Sequence, residues 1–252
     1  MNKREIINQL KIKLKNHLKN NGIDDKFLDL LKKLITKSKA IYKGVVEYLE
    51  DFVISTKDVA NIYKFALLIK GARIENLQQA VIESKNKYYI YLFALNVKGA
   101  KIKKLQEEII KSNDEGYIYE FAKNIKGADI KKLEEAIIKT DNWWAIYKFA
   151  RFIKGANIKN LQEKIIEIGN PLAIYNFALN IKGADIKRLY EEIIKTNNKE
   201  FIDLFEKNII HSENKKTKHK IKTLKKSESR PYNKNEEDTD ENSSIGDIID
   251  DI

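Results

Sequence analysis

The sequence predicts an all-α fold: a right-handed α-solenoid of tandem 28-residue helical hairpins, followed by a disordered C-terminal tail. Three observations predict it. A 28-residue unit recurs five times without a gap, its apolar residues fall on two helical stripes, and an Asx residue and a glycine punctuate every unit at fixed places. One hairpin of this size cannot bury its apolar stripe alone, so neighbours must stack.

The elements follow in chain order. Residues 1–33 read as two amphipathic capping helices, broken at Asn21–Gly22 and restarted by Asp24. A degenerate copy is expected over 34–61, because Leu49, Val53 and Ile54 align with Leu77, Val81 and Ile82. The clear copies fill 62–201. They are IYKFALLIKGARIENLQQAVIESKNKYY (62–89), IYLFALNVKGAKIKKLQEEIIKSNDEGY (90–117), IYEFAKNIKGADIKKLEEAIIKTDNWWA (118–145), IYKFARFIKGANIKNLQEKIIEIGNPLA (146–173) and IYNFALNIKGADIKRLYEEIIKTNNKEF (174–201). A partial copy closes the array over 202–210.

Each copy predicts two short helices. In the third, Ile118, Phe121, Ala122 and Ile125 fall at i, i+3, i+4 and i+7, and Ile130, Leu133, Ile137 and Ile138 form the stripe of the second helix. Gly127 is expected to end the first helix in the left-handed conformation. Asp58, Asn86, Asp114, Asn142, Asn170 and Asn198 share one repeat position and are expected N-caps of the next first helix; Pro171 follows at the first helical position, where proline fits.

From 211 the apolar period stops. Residues 213–234 hold nine Lys/Arg against two acids, and 235–252 hold eight acids and no base. Such composition cannot offset the entropy of folding. Ile245, Ile248, Ile249 and Ile252 at the acidic tip nevertheless keep an i, i+3, i+4, i+7 spacing, and this tip resembles in style the acidic-hydrophobic tips by which single-stranded-DNA-binding proteins recruit partners. The alternative is a solubilising tail.

Composition narrows the chemistry. There is no cysteine, so disulfides, thiolate zinc sites and a cysteine nucleophile are excluded. His17, His211 and His219 are too scattered for a histidine metal cluster. No metal, cofactor or small-molecule ligand is indicated. No stretch approaches a transmembrane helix, and the N-terminus lacks a signal-peptide core, so no membrane partner is expected and a cytoplasmic location is. The formal charge of +11 points towards polyanions, although the Ile, Lys and Asn bias is that of AT-rich coding DNA.

Stacking turns each repeat position into a ladder. Lysine always precedes the glycine (Lys70, Lys98, Lys126, Lys154, Lys182), and Lys103, Lys131, Lys159 and Lys187 follow the turn together with Lys104, Lys132 and Arg188. The first ladder suits the end of a helix dipole. The second opposes the dipole and, with free helix N–H groups, suggests a phosphate-tracking or acid-binding edge; solvated turns are the plain alternative. Tyr63, Tyr91, Tyr119, Tyr147 and Tyr175 form a tyrosine ladder that reads as inter-repeat packing.

The pair Trp143–Trp144 interrupts this regularity; its counterparts are Lys87–Tyr88, Glu115–Gly116, Pro171–Leu172 and Lys199–Glu200. Helical spacing places Trp143 in one stripe with Tyr147, Arg151 and Lys154, and turns Trp144 towards solvent. Trp, Tyr and Arg dominate interface energetics. Trp143 reads equally as a filler over the neighbouring repeat.

The helix pairing over about 34–210 resembles HEAT-like and related αα-superhelical repeats, with a shorter unit. The resemblance implies architecture and no catalytic residue. The string KGADIKKLEEAI (126–137) is similar to strings in bacterial and phage proteins. Tryptophans near Asp141 on HEAT-like helices also resemble the alkylpurine DNA glycosylases, a remote enzymatic alternative. The expected function is a non-catalytic binding scaffold with a protein partner, and the alternative is nucleic acid along the basic edge. Removing 235–252 is expected to tighten polyanion binding at low salt, if the tip competes for that edge.

Overall fold

The computed structural model describes residues 3–210; the tail from 211, with Ile245, Ile248, Ile249 and Ile252, lies outside the described residues. The chain divides into two compact units, Met1–Phe205 and Glu206–Ile252. All regular structure among the described residues is helical. In the first unit the helices are α1 (Lys3–Asn21), α2 (Asp25–Lys37), α3 (Lys39–Thr56), α4 (Val59–Leu68), α5 (Ile74–Glu83), α6 (Lys87–Asn96) and α7 (Ile102–Lys111). They continue with α8 (Glu115–Asn124), α9 (Ile130–Ile138), α10 (Trp143–Phe152), α11 (Ile158–Ile168), α12 (Pro171–Asn180), α13 (Ile186–Lys195) and α14 (Lys199–Phe205). The second unit is described only over one π-helical turn, Glu206–Ile210. No described helix is long and apolar enough to cross a membrane.

From α4 onward the helices alternate. The even-numbered first helices pack against one another in one layer, and each also touches the second helix before and after it. This is the helical-repeat solenoid that the 28-residue period predicts. Its core is a set of columns, one residue per copy. Phe65, Phe93, Phe121, Phe149, Phe177 and Phe205 have no exposed surface, and neither do Leu77, Leu105, Leu133, Leu161 and Leu189. Burying each such side chain stabilises by about 1.5–3 kcal/mol.

The Asx caps form as expected. Asn142 Oδ1 accepts from the Trp144 and Ala145 N–H groups, Asp114 from Tyr117 and Asn170 from Ala173, each cap contributing about 1 kcal/mol. Two local expectations are corrected. The first helices stop before the Lys-Gly pair: α8 ends at Asn124, Ile125 is its extended C-cap, and the Ala128 N–H donates to the Ile125 carbonyl at 3.2 Å. Lys126 and Gly127 are therefore the central residues of a separate turn. Gly127 has φ +85°, the positive sign that a type II turn requires at its third residue, and a Cβ there would meet nothing within 4 Å. Backbone sign rather than space demands the glycine, and the ladder lysine lies beyond the last helical turn.

The second correction concerns only the first half of the copy expected before residue 62, since Leu49 and Val53 are buried as Leu77 and Val81 are. α2 runs to Lys37, past residue 33, and α3 passes unbroken through the place where a copy would turn, with Gly44 inside the helix. The α1–α2 break does fall at Asn21–Gly22, with Gly22 at φ +69°. His17 Nε2 lies 2.8 Å from the Asp24 carboxylate. The Asp24 pKa is lowered, first by the Phe27 N–H and then by His17.

Candidate functional site

The turn edge is built by a residue set that sequence reasoning missed. Glu50, Gln78, Gln106, Glu134 and Gln162 occupy one repeat position on consecutive second helices and are almost wholly buried. Each reaches the next copy. Gln78 Oε1 accepts from the Lys101 N–H (2.7 Å), Gln106 from Asp129 (2.8 Å), Glu134 from Asn157 (2.6 Å) and Gln162 from Asp185 (2.7 Å). The Gln106 amide also donates to the Asp129 carbonyl at 3.2 Å. The acidic members find other donors: Arg73 Nε at 2.9 Å for Glu50 and the Asn160 amide at 3.4 Å for Glu134. A polar residue at i+4 of an apolar stripe (Ile102, Leu105, Gln106, Ile109) was the available signal.

This ladder alters the expected anion edge. Asp129, Asn157 and Asp185 cap α9, α11 and α13 by accepting from Lys132, Asn160 and Arg188 N–H groups. One N–H of the first turn is thus held by a side chain in each of these three helices, whereas α5 and α7 begin at Arg73 and Lys101 without a side-chain cap. The side chains remain outside. Lys98, Lys103, Lys126, Lys131, Lys132, Lys154, Lys159, Lys182 and Lys187 are exposed and make no ion pair among the described residues, whereas Lys104 pairs with Glu75 (3.5 Å) and Arg188 with Glu163 (2.5 Å).

The first-helix layer carries a second ladder. The Asn96 amide donates to the Tyr63 hydroxyl (2.9 Å) and the Asn124 amide to the Tyr91 hydroxyl (3.0 Å), tying each first helix to the next. Both rungs at α10 are different. The residue that would serve Tyr119 is Phe152, which is 54% exposed. The hydroxyl that would serve Asn180 belongs to Tyr147 and is taken by Arg151 Nη1 at 2.5 Å, so the Asn180 amide bonds the Asn176 carbonyl instead.

At this interruption stands an aromatic and cationic cluster. Tyr147 is 3% exposed, and Trp144, half-exposed, stacks on it at 5.2 Å and 18°. Trp143 meets Trp144 edge-on at 5.6 Å. The Arg151 guanidinium lies 5.8 Å from the Tyr147 ring and 5.3 Å from that of Phe152. The expected stripe is thus redrawn: Trp144 rather than Trp143 is the partner of Tyr147, Arg151 joins them, Phe152 was missed, and Lys154 sits in the turn beyond the helix. Residues three and four apart are both neighbours on a helix, and the spacing argument weighed only Trp143, four before Tyr147, and not Trp144, three before it. Phe152 was passed over because it looked like one more apolar repeat residue.

The layer around the cluster is apolar on its outward side. Tyr88 and Leu95 on α6, and Leu172 and Leu179 on α12, are exposed. Asp141 is not part of this face: it is an exposed turn residue whose carboxylate lies 2.5 Å from Lys164 Nζ. That contact and a bond to Glu167 raise the Lys164 pKa. Among the described residues no group of acids and histidines could hold a metal ion. No family model matches the chain, and no curated protein matches it.

Proposed function

We propose that the protein is a non-catalytic scaffold, HEAT-like in its stacked helix pairs, that holds a protein partner on the outward face of its first helices. The observation that carries this reading is Phe152. It stands half-exposed where Asn96 and Asn124 of the two preceding copies bond tyrosine hydroxyls and the first copy exposes Leu68, and it lies beside Trp144 on its Tyr147 support. An exposed ring in place of a hydrogen-bonding amide lowers stability, so its use lies in contact with something else. Trp, Tyr and Arg gathered on a preorganised support are the groups from which protein interfaces draw most of their affinity.

The unpaired lysines of the turn edge support nucleic acid as the second reading. The enzymatic alternative has less behind it, since Asp141 is exposed and paired with Lys164, and buried Glu134 bonds the Asn157 backbone. Affinity capture from cell extract, wild type against Trp144→Ala/Phe152→Ala, tests the first reading; a partner retained by both chains would refute it. Gel shifts with random DNA and RNA test the second. Steep salt dependence, lost in Lys131→Glu/Lys159→Glu/Lys187→Glu, would move the function to the turn edge.

A further inference from the structure

The outward face has a shape as well as a composition. Tyr88 on α6, Gly116 on α8, Trp144 on α10 and Leu172 on α12 share one repeat position. Seven residues later come Leu95, Lys123, Arg151 and Leu179, nearly two turns on and so on the same side of each helix. Where α6 and α10 raise half-exposed rings, α8 has only the hydrogen of Gly116, which is itself exposed. Packed helices lie roughly 8–10 Å apart, which sets α6 and α10 roughly 16–20 Å from each other with α8 as the floor between. Such a groove accommodates one further helix, about 10 Å across.

The groove is net positive, with three cations against the carboxylates of Glu115 and Glu120. Lys148 reaches from α10 to the Tyr119 ring of α8, its Nζ 5.3 Å from the ring centre, and Lys123 Nζ lies 5.6 Å from the same ring. Arg151 adds a third cation. None of the three has an ion pair among the described residues. The nearby acids are tied to amides: Glu115 accepts from Asn142 and Glu120 from Asn124, both at 2.7 Å.

We propose, resting on the protein-binding reading above, that this groove receives an acidic amphipathic α-helix of a partner protein. Its apolar stripe lies against Tyr88, Trp144 and Phe152, and its carboxylates meet Lys123, Lys148 and Arg151. Helix-in-groove recognition uses anchors at i, i+3, i+4 and i+7, and a face already held by packing loses little side-chain freedom on binding. The exposed Leu95, Leu172 and Leu179 widen the apolar part of this face beyond its rings, which suits an amphipathic helix.

Both tryptophans of the chain lie here, so intrinsic fluorescence reads the groove directly. The probe is a synthetic peptide with isoleucine at i, i+3, i+4 and i+7 over three turns and Asp or Glu elsewhere, titrated into the full chain. The expected result is a saturable change in tryptophan emission. Binding falls about tenfold or more for a peptide with scrambled isoleucines, for one with Lys in place of the acids, and in Lys123→Glu/Lys148→Glu. Phe152→Asn, which puts back the asparagine of other copies, weakens binding similarly with no loss in unfolding midpoint. Equal binding of acidic and basic peptides, or unchanged affinity in the lysine double variant, overturns the proposal. If no peptide binds while a photo-crosslinker at position 172 captures a protein only when Trp144 and Phe152 are intact, the acidic-helix inference fails and the scaffold reading stands. If neither occurs and random RNA is bound with steep salt dependence, both fail.

Discussion

Replacing Gln106 with leucine tests what holds one copy to the next. The side chain is 3% exposed, accepts from the Asp129 N–H at 2.8 Å and donates to the Asp129 carbonyl at 3.2 Å. Leucine fills a similar volume, so little cavity results, but the Asp129 N–H loses its partner and its carbonyl keeps only the Leu133 N–H at 3.2 Å. A buried polar group left unpaired costs about 1–3 kcal/mol. Asp129 is itself exposed, so water reaches part of the site and the lower half of that range applies to the N–H. The N–H gives about 1–2 kcal/mol and the carbonyl's lost second bond about 0.5–1.5, of which leucine's greater apolar burial offsets about 1, leaving a loss of about 1–2 kcal/mol. Against a typical folding stability of about 5–15 kcal/mol this is large.

The form of the loss matters as much. In a linear array each copy is stabilised by its neighbours, so a weakened junction between 90–117 and 118–145 lets the two sides unfold separately. Urea unfolding followed by far-ultraviolet circular dichroism reports all helices, while tryptophan emission reports only α10. The two transitions should coincide in the wild type and separate in Gln106→Leu. Gln79→Ala, one residue from the ladder but exposed, should stay within about 0.5 kcal/mol of wild type. A change below about 0.5 kcal/mol in Gln106→Leu with coincident transitions would refute the inter-copy role of the ladder.

Three further outcomes are expected. Lys85 sits at φ +55° in the turn where the copy at 146–173 has Gly169 at φ +65°, so Lys85→Gly should raise stability by about 0.5–1 kcal/mol and Gly169→Ala should lower it, both measured by thermal denaturation. Phe152→Asn should restore a bond to the Tyr119 hydroxyl and raise the midpoint by the equivalent of about 0.5–1.5 kcal/mol; an unchanged or lower midpoint would argue that Phe152 packs usefully within the fold. Lys87 Nζ lies 2.6 Å from Asp114, the cap of α8, and this bond is the first cause of the lowered Asp114 pKa. A depressed carboxylate stabilises above its unfolded value of about 3.9 and loses that contribution as pH falls through the lower folded value. Lys87→Met should therefore unfold earlier at pH 7, with the gap to wild type closing as the solution is acidified below the carboxylate range.

What was legible in the sequence was whatever recurs with a simple local cause. The Asx caps, Pro171 at the start of α12 and the phenylalanine column each follow from one rule applied copy by copy. The turn glycines were placed correctly but given the wrong job, because an extended C-cap such as Ile125 leaves no compositional mark: isoleucine fits a stripe whether it ends a helix or lies just beyond it. The Gln/Glu ladder was hidden by residue type. Gln106 and Glu107 look alike on paper, and only the wheel position separates the buried one from the exposed one. Leu49, Val53 and Ile54 aligned with Leu77, Val81 and Ile82 suggested a degenerate copy, and what the alignment did not reveal is that α3 runs on through Gly44 with no left-handed residue there. The cluster at α10 was half legible. Residue types named Trp144, Tyr147 and Arg151, but Phe152 becomes meaningful only once Asn96 and Asn124 are seen bonding the tyrosines of the preceding copies.

That comparison among copies has a force that a single site lacks. The clear copies share one backbone, so each position is tried several times against the same packing demands. Where the fold has a use for a side chain the copies keep it, as with the phenylalanine column. Where it has none they drift, as at Tyr88, Gly116, Trp144 and Leu172. Position 152 fits neither case. Asn96 and Asn124 bond tyrosine hydroxyls there, the copy at 62–89 exposes Leu68, and the copy at 146–173 exposes a ring beside an arginine and a stacked tryptophan. A drifting position would be expected to lose the bond to something polar and small. Losing it to phenylalanine, in the copy that also breaks the next rung by turning Arg151 onto Tyr147, concentrates two departures from the scaffold on one helix. Two such departures on one helix, both adding exposed contact surface, are what the proposed partner site at α10 rests on.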